Sequence, residues 1–152
     1  HEKDLHENRI RLRTIGRLAD LPAKVARAVQ AVVDRTSGYA DRHLVLALSY
    51  GSRAEITDAA RRIAEQAKAG LLDPAAIKED TVAENLYLPD VPDPDLIIRT
   101  SGEMRLSNFL LWQASYAELY VTETLWPDFR EPEFIQALDA YGKRKRRFGN
   151  IG

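Results

Sequence analysis

Cysteine is absent from the 152 residues of this chain. Its absence excludes a disulfide framework and a thiolate metal site. The chain also lacks an apolar run long enough to span a bilayer, and no signal peptide is visible. A cytoplasmic protein is therefore the default expectation.

The chain also has no large net charge of either sign. The 22 lysine and arginine residues nearly balance the 23 aspartate and glutamate residues, which leaves a formal net charge of −1. This balance argues against bulk attraction to nucleic acid or to a membrane surface. The basic run at 143–147 falls where a final helix is expected to end, and cations there complement the helix dipole. We therefore predict no nucleic-acid partner.

An initiator methionine is the third absence, since the chain begins at His1. The first residues have the pattern of a helix that is already under way. The length suits one domain, residues 1–152, with enough chain to bury a core. We expect the sequence to be part of a longer protein whose front is not included.

Four short apolar segments predict β-strands near residues 10–15, 44–49, 96–99 and 118–121. The second of these is a continuous apolar run, which is typical of a strand buried on both faces. Segments with helical spacing separate the strands, including one predicted over residues 107–114. This alternation predicts an α/β fold with a mostly parallel sheet flanked by helices.

Two helix starts are predicted from side-chain caps. Asp20 precedes Pro22, a proline placed where a first helical turn tolerates it. Ser52 is followed three residues later by Glu55, which is the spacing of a capping box. Both helices would come directly after predicted strands, as expected for alternating strands and helices.

Arg99, Arg105 and Ser107 form the first candidate site. Arg99 ends a predicted strand, and ligands of parallel α/β sheets bind outside the carboxyl ends of strands. Two guanidinium groups, a hydroxyl and a helix N-terminus would together suit a diphosphate. The alternative is that both arginines form surface salt bridges with Asp95 and Glu103.

Glu118 is the second candidate. It stands in an apolar setting at the start of a predicted strand, where a carboxylate has to be paired, protonated or bound to a metal. It could be a Mg²⁺ ligand, since Mg²⁺ often takes one or two protein carboxylates together with substrate phosphates. The alternative is a salt bridge to an arginine such as Arg99.

Three segments carry a family resemblance. They are IRTSGEMRLSNFLLWQ at 98–113, YAELY at 116–120 and WPDF at 126–129. With the segment that begins YGSR at 50–53, they resemble the C-terminal part of the cis-prenyltransferase family, which includes undecaprenyl diphosphate synthases and isoprenyl transferases. A match to the family over so many fixed positions would not arise by chance.

The resemblance implies roles for particular residues. It implies that isopentenyl diphosphate binds to Arg99, Arg105 and Ser107, and that Glu118 is a Mg²⁺ ligand. It also implies a tail, with Arg147 and Gly149, that reaches the diphosphate site of a partner subunit. The family's MDGNGRWA segment, which carries its second metal ligand and chief catalytic aspartate, is nowhere in this chain. The catalytic residue is therefore unknown, and the fold is expected to lack its N-terminal strand and catalytic loop.

The activity implied by the resemblance is a Mg²⁺-dependent prenyl transfer. Isopentenyl diphosphate would be condensed with an allylic diphosphate to give a long polyprenyl diphosphate, expected to be undecaprenyl diphosphate, a lipid carrier for cell-wall synthesis. The family resemblance implies a homodimer, with peripheral membrane contact through the lipid product. The alternative is a non-catalytic partner subunit of such a complex. Product length and the allylic primer do not follow from the sequence.

Overall fold

The structure is a computed structural model that describes residues 1–144. It contains two compact units, His1–Asp90 and a second unit that begins at Val91. The single domain predicted over residues 1–152 stays a prediction. Arg147 and Gly149, the predicted partner-site tail, lie outside the described residues.

The first unit alternates helices and strands in the predicted order. Its elements are α1 Glu2–Glu7, β1 Ile10–Ile15, α2 Ala23–Thr36, β2 Arg42–Ala47, α3 Ser52–Lys68 and α4 Glu79–Ala83. Short 3-10 helices cover Leu18–Asp20 and Pro74–Ala76. Within residues 1–144 no helix combines the length and the apolar character needed to cross a membrane.

β1 and β2 pair in parallel, from Ile10 opposite Arg42 to Ile15 opposite Ala47. The two predicted strands and their parallel pairing are confirmed. The prediction that β2 is buried on both faces is wrong, because Leu44 in its centre is 43% exposed. No residue of β2 is fully buried, and exposed residues point to both of its faces.

The core of the first unit contains a buried polar group. Thr36 at the end of α2 has no exposed surface, and its Oγ1 accepts a hydrogen bond from the Leu12 N–H at 3.0 Å. The same hydroxyl donates to the Val32 carbonyl at 2.9 Å, so it is satisfied inside the protein. Leu12 and Ile15 are buried on the same strand. The bond therefore ties β1 to the helix that crosses over it.

Neither predicted cap starts its helix. Pro22 is the N-cap of α2, and Asp20 lies in a 3-10 turn, where its carboxylate accepts from the Ser49 hydroxyl at 3.1 Å. Gly51 is the N-cap of α3, so Ser52 is already the first helical residue. The spacing of Asp20 and Glu55 in the sequence fits helix caps. In the folded chain, however, the Asp20 carboxylate binds Ser49, and the Glu55 carboxylate binds Tyr50 and Tyr87.

The second unit contains β3 Leu96–Arg99, β4 Glu118–Val121, a 3-10 turn at Trp126–Asp128 and α5 Glu131–Gly142. β3 and β4 pair in parallel, with Leu96 opposite Glu118 and Arg99 opposite Val121. The four predicted strands therefore pair two by two in the described chain. The predicted α/β class with parallel strands and helices is confirmed.

The helix predicted over residues 107–114 is wrong. The segment consists of turns, and φ is +51° at Ser107, +62° at Asn108 and +47° at Leu110. Those values lie in the left-handed region, which a right-handed helix cannot include. Ser107 therefore does not stand at a helix N-terminus, and no helix dipole contributes to the candidate site there.

Candidate functional site

The carboxyl ends of β3 and β4 are tied together by the loops that leave them. The Ser101 N–H donates to the Thr124 carbonyl at 3.0 Å, and the Gly102 N–H donates to the Thr122 carbonyl at 2.9 Å. Gly102 has φ +67°, and a Cβ there would lie 2.9 Å from Glu123 Cδ. These bonds fix the loop that connects Arg99 to Arg105.

A cavity of about 240 Å³ opens beside this loop. Two arginines and four apolar residues line it: Ile97, Ile98, Arg99, Arg105, Leu106 and Phe109. The structure thus brings the two predicted arginines to one cavity. An anionic group with an apolar tail matches this lining in both charge and hydrophobicity.

Both cavity arginines bind the same carboxylate. Arg99 Nη2 donates to Glu103 Oε2, and Arg105 Nη2 donates to Glu103 Oε1 at 2.5 Å. The hydrogen bond from Arg99, with the nearby charge of Arg105, holds the pKa of Glu103 below its ordinary value. The alternative prediction of salt bridges with Asp95 and Glu103 is therefore met for Glu103, which binds both arginines. The two guanidinium groups thus share a single carboxylate.

Ser107 is exposed and lies two residues after Arg105. It is not among the described residues that line the cavity. Its backbone, with φ +51°, lies in the left-handed region. The structure therefore brings two of the three predicted diphosphate residues together and leaves the third beside them on the surface.

Glu118 lies at the opposite edge of the β3–β4 pair from Arg99. It is the first residue of β4 and pairs with Leu96, three residues before Arg99, which corresponds to about 10 Å along the strand. Arg144 Nη1 donates to its Oε2 at 2.5 Å and to the Leu119 carbonyl at 3.0 Å. Glu118 is therefore paired with an arginine, as the salt-bridge alternative expects, but that arginine is Arg144.

The described residues do not form a metal site by themselves. Among them, no group of three or more histidine, aspartate and glutamate side chains could hold an ion together. Glu118 offers one carboxylate, and that carboxylate already binds a guanidinium group. The role of Glu118 as a Mg²⁺ ligand stays a prediction.

A second polar cluster lies after β2 in the first unit. Glu55 has no exposed surface and accepts from the Tyr50 hydroxyl at 2.5 Å and from the Tyr87 N–H at 2.9 Å. The Tyr87 hydroxyl donates to Asp58 at 2.7 Å. Burial and this bond raise the pKa of Tyr87, and the same bond lowers the pKa of Asp58. The spacing of Ser52 and Glu55 indicates a helix cap, so the sequence pattern does not reveal this cluster.

A parallel α/β fold with two arginines beside an apolar cavity at strand ends is the architecture of a protein suited to an anionic, partly apolar ligand. The chain matches, over residues 1–149, the family model described as "Putative undecaprenyl diphosphate synthase". It belongs to this prenyltransferase family, and the resemblance expected from its sequence is confirmed.

Two curated relatives cover nearly the whole chain. An isoprenyl transferase of Thermotoga maritima is 49% identical over 147 residues, which are 97% of this chain and 62% of that protein. The tritrans,polycis-undecaprenyl-diphosphate synthase (geranylgeranyl-diphosphate specific) of Methanopyrus kandleri is 48% identical over 145 residues, which are 95% of this chain and 54% of that protein. The chain therefore spans less than two thirds of the length of either relative.

Solved structures agree with this assignment. Lavandulyl diphosphate synthase from Lavandula x intermedia, in complex with dimethylallyl diphosphate, matches with a TM-score of 0.94 and 36% identity. The match covers 98% of this chain and 64% of that one. A probable undecaprenyl diphosphate synthase from Campylobacter jejuni matches with a TM-score of 0.83 and 39% identity, over 98% of this chain and 67% of that one.

Proposed function

We propose that the protein is a cis-prenyltransferase that condenses isopentenyl diphosphate with an allylic diphosphate. The observation that carries this proposal is the pair of arginines at one cavity, in a chain that belongs to a prenyltransferase family. Arg99 and Arg105 share Glu103 as their described ion-pair partner, and their two positive charges lie where a diphosphate could bind. The remaining guanidinium N–H groups are available as donors to its oxygens.

The apolar lining has a place in the same proposal. Leu106 and Phe109 line the cavity together with the two arginines. An isopentenyl group that lies against them is removed from water while its diphosphate stays on the charged side. Ser107 is proposed as a further hydroxyl donor, because it comes so soon after Arg105. In this arrangement the chain fixes the isopentenyl substrate in one orientation, which lowers the barrier to its reaction with a second substrate.

The product we propose is a long polyprenyl diphosphate, with undecaprenyl diphosphate as the specific candidate. The family description and the name of the Methanopyrus kandleri relative support it. The primers differ among the relatives, because that protein is called geranylgeranyl-diphosphate specific and the lavender structure holds dimethylallyl diphosphate. The allylic partner is therefore proposed only as a class.

Mg²⁺ is proposed as the cofactor of the whole enzyme, because a departing diphosphate needs positive charge to stabilise it. Glu118 is the proposed ligand from this chain, where Arg144 binds one of the two oxygens of its carboxylate. The remaining ligands would come from the portion of the relatives' length that this chain does not span.

A homodimer is proposed as the assembly. The second unit exposes large apolar side chains, which mark interaction surfaces when they lie close together. They include Leu125, Trp126, Phe134, Ile135 and Leu138. Arg147 and Gly149 are proposed to reach the partner subunit's diphosphate site. Light scattering at micromolar concentration should give twice the mass of one chain, and the mass of one chain would contradict the proposal.

A non-catalytic partner subunit is the second candidate. Both arginines remain at the cavity and Glu118 remains in place, and a scaffold has no need of them. The binding of isopentenyl diphosphate separates the two candidates. Calorimetry should show binding to the unmodified chain and a loss of about tenfold or more in Arg105→Ala, because a charge-assisted hydrogen bond is removed.

Arg61→Ala is the matched control for that experiment. Arg61 is 61% exposed and Arg105 is 64% exposed, and each binds one carboxylate. The control should bind isopentenyl diphosphate as the unmodified chain does. Absence of binding to the unmodified chain, or equal weakening in both variants, would contradict the proposed function.

A further inference from the structure

Glu103 touches both arginines of the candidate diphosphate site and has no role of its own in the proposed reaction. We propose that Glu103 is a positioning residue, which holds Arg99 and Arg105 at the orientation that a diphosphate requires. This inference rests on the proposed function, since it concerns the same site. It assigns to Glu103 an action on the arginines and no contact with the reacting atoms.

The geometry places one carboxylate oxygen on each arginine. Oε2 accepts from Arg99, and Oε1 accepts from Arg105. A single planar group thus fixes the separation of two guanidinium groups. Without it the two positive charges repel each other, and Arg105, which is 64% exposed, would sample many rotamers.

The lining of the cavity includes the two arginines without the carboxylate that they share. Arg99 and Arg105 both line it, and Glu103 is not among the described lining residues. The bond from each arginine to Glu103 uses one terminal nitrogen, and a guanidinium group has five N–H donors. The carboxylate can therefore orient both side chains and leave donors for a phosphate group in the cavity.

The backbone around Glu103 supports the same role. The loop that carries it is tied to the loop after β4 by the Ser101 and Gly102 N–H groups. Its side chain is 35% exposed, compared with 64% for Arg105. The less exposed carboxylate on the anchored loop thus fixes the more exposed guanidinium group.

Calorimetry with inorganic diphosphate on the 152-residue chain tests the inference. Glu103→Ala should weaken binding about tenfold or more, because the arginines lose their shared hydrogen-bond partner. Glu103→Gln keeps an oxygen for one arginine and should recover part of the loss. Glu123→Gln removes the same negative charge from the adjacent loop and should not weaken binding, because by charge alone the loss of a nearby carboxylate favours an anion.

A second measurement separates positioning from charge and from folding. In ligand-free chain, ¹⁵N relaxation of the arginine side chains should show Arg99 and Arg105 becoming more mobile in Glu103→Ala and unchanged in Glu123→Gln. Unaltered relaxation in Glu103→Ala would overturn the inference. Diphosphate binding by Glu103→Ala that equals or exceeds that of the unmodified chain would also overturn it, because the carboxylate would then compete with the ligand.

The two proposals fail in different ways. If the unmodified chain binds no diphosphate, the proposed function fails, and the relaxation result still decides whether Glu103 positions the arginines. If the unmodified chain binds diphosphate and Arg105→Ala does not, while Glu103→Ala binds normally, the proposed function stands and the inference on Glu103 fails.

Discussion

The two parallel strand pairs differ in the packing beyond their carboxyl ends. After β1 and β2 the chain is packed: a Cβ on Gly16 would lie 3.0 Å from Tyr50 Cα, and the nearby Glu55 is fully buried. After β3 and β4 there is a cavity with two partly exposed arginines. The same strand arrangement thus serves as core in one unit and as candidate binding site in the other.

This difference shows that charged residues at strand ends do not by themselves define a site. Glu55 in the first unit binds a tyrosine hydroxyl and a backbone N–H, so its charge is satisfied within the protein. Arg99 and Arg105 share one carboxylate and use one terminal nitrogen each for it, so other guanidinium N–H groups of both remain for a second acceptor. Guanidinium groups that line a cavity and keep N–H donors favour an external anionic ligand.

The largest expected effect is on stability, from alanine at the glycine after β1. Gly16 has φ +104°, and its added Cβ would overlap the Leu48 carbonyl and crowd the Tyr50 backbone. Gly16→Ala should lower the free energy of unfolding by about 3 kcal/mol or more, since strain and overlap add. Gly102→Ala should cost only about 1 kcal/mol, because Glu123 is a side chain that can move.

Urea unfolding of both variants gives the comparison. Equal losses of stability would mean that the two strand ends are packed alike. A stable Gly16→Ala chain would contradict the account of the first unit.

The next effect is on catalysis, from the arginines at the cavity. In an incorporation assay of the full enzyme, Arg105→Ala should raise the Michaelis constant for isopentenyl diphosphate by about tenfold or more and that for the allylic substrate much less. Arg144→Ala, at the other edge of the sheet, should leave the first constant nearly unchanged. If Arg105→Ala raises the Michaelis constants of both substrates equally, Arg105 is not specific to the isopentenyl diphosphate site.

A smaller effect is expected from the pair at the amino edge of β4. Arg144 and Glu118 are 38% and 29% exposed, so their ion pair should contribute about 0.5–1 kcal/mol to stability. A double-mutant cycle with Glu118→Gln and Arg144→Met measures this coupling. Added Mg²⁺ with isopentenyl diphosphate should reduce the coupling if Glu118 leaves the arginine for a cation. If the coupling energy stays the same when Mg²⁺ and isopentenyl diphosphate are added, Glu118 stabilises the fold and is not a metal ligand.

The smallest effect is a pH dependence at Glu103. Its pKa in the folded chain is below the ordinary value of 4.5, because Arg99 and Arg105 stabilise the charged form. Its contribution to stability is therefore fully present above pH 4.5 and is lost as the pH falls through the lowered pKa. The stability difference between the unmodified chain and Glu103→Gln should disappear in that acidic range. If the stability difference between the two chains does not change with pH, Glu103 does not form stabilising ion pairs with Arg99 and Arg105.

The sequence was sufficient for the strands and for the presence of the two arginines at one strand end. Apolar runs bounded by polar residues predicted all four strands within a few residues, because burial imposes that pattern. The helix over 107–114 could not be excluded, since apolar spacing does not report the left-handed backbone at Ser107 and Leu110. The Arg144–Glu118 pair was missed because its members are 26 residues apart and no local pattern links them.

The predicted helix caps failed for a related reason. Asp20 and Glu55 have the right spacing, but Ser49, Tyr50 and Tyr87 lie close in the folded chain and bind them instead. Residues outside the predicted caps thus bind these carboxylates, and two of the three contacts are long-range. Glu103 was visible in the sequence as a salt-bridge partner, and only the folded loop shows that one carboxylate serves both arginines.

We propose that the diphosphate group binds at the carboxyl edge of β3–β4. The most direct measurement is an NMR titration of ¹⁵N-labelled arginine side chains with isopentenyl diphosphate. The signals of Arg99 and Arg105 should shift together and saturably, while that of Arg144 stays in place. A saturable shift of Arg144 with no change at Arg99 and Arg105 would place the diphosphate at the other edge of the sheet and contradict the account.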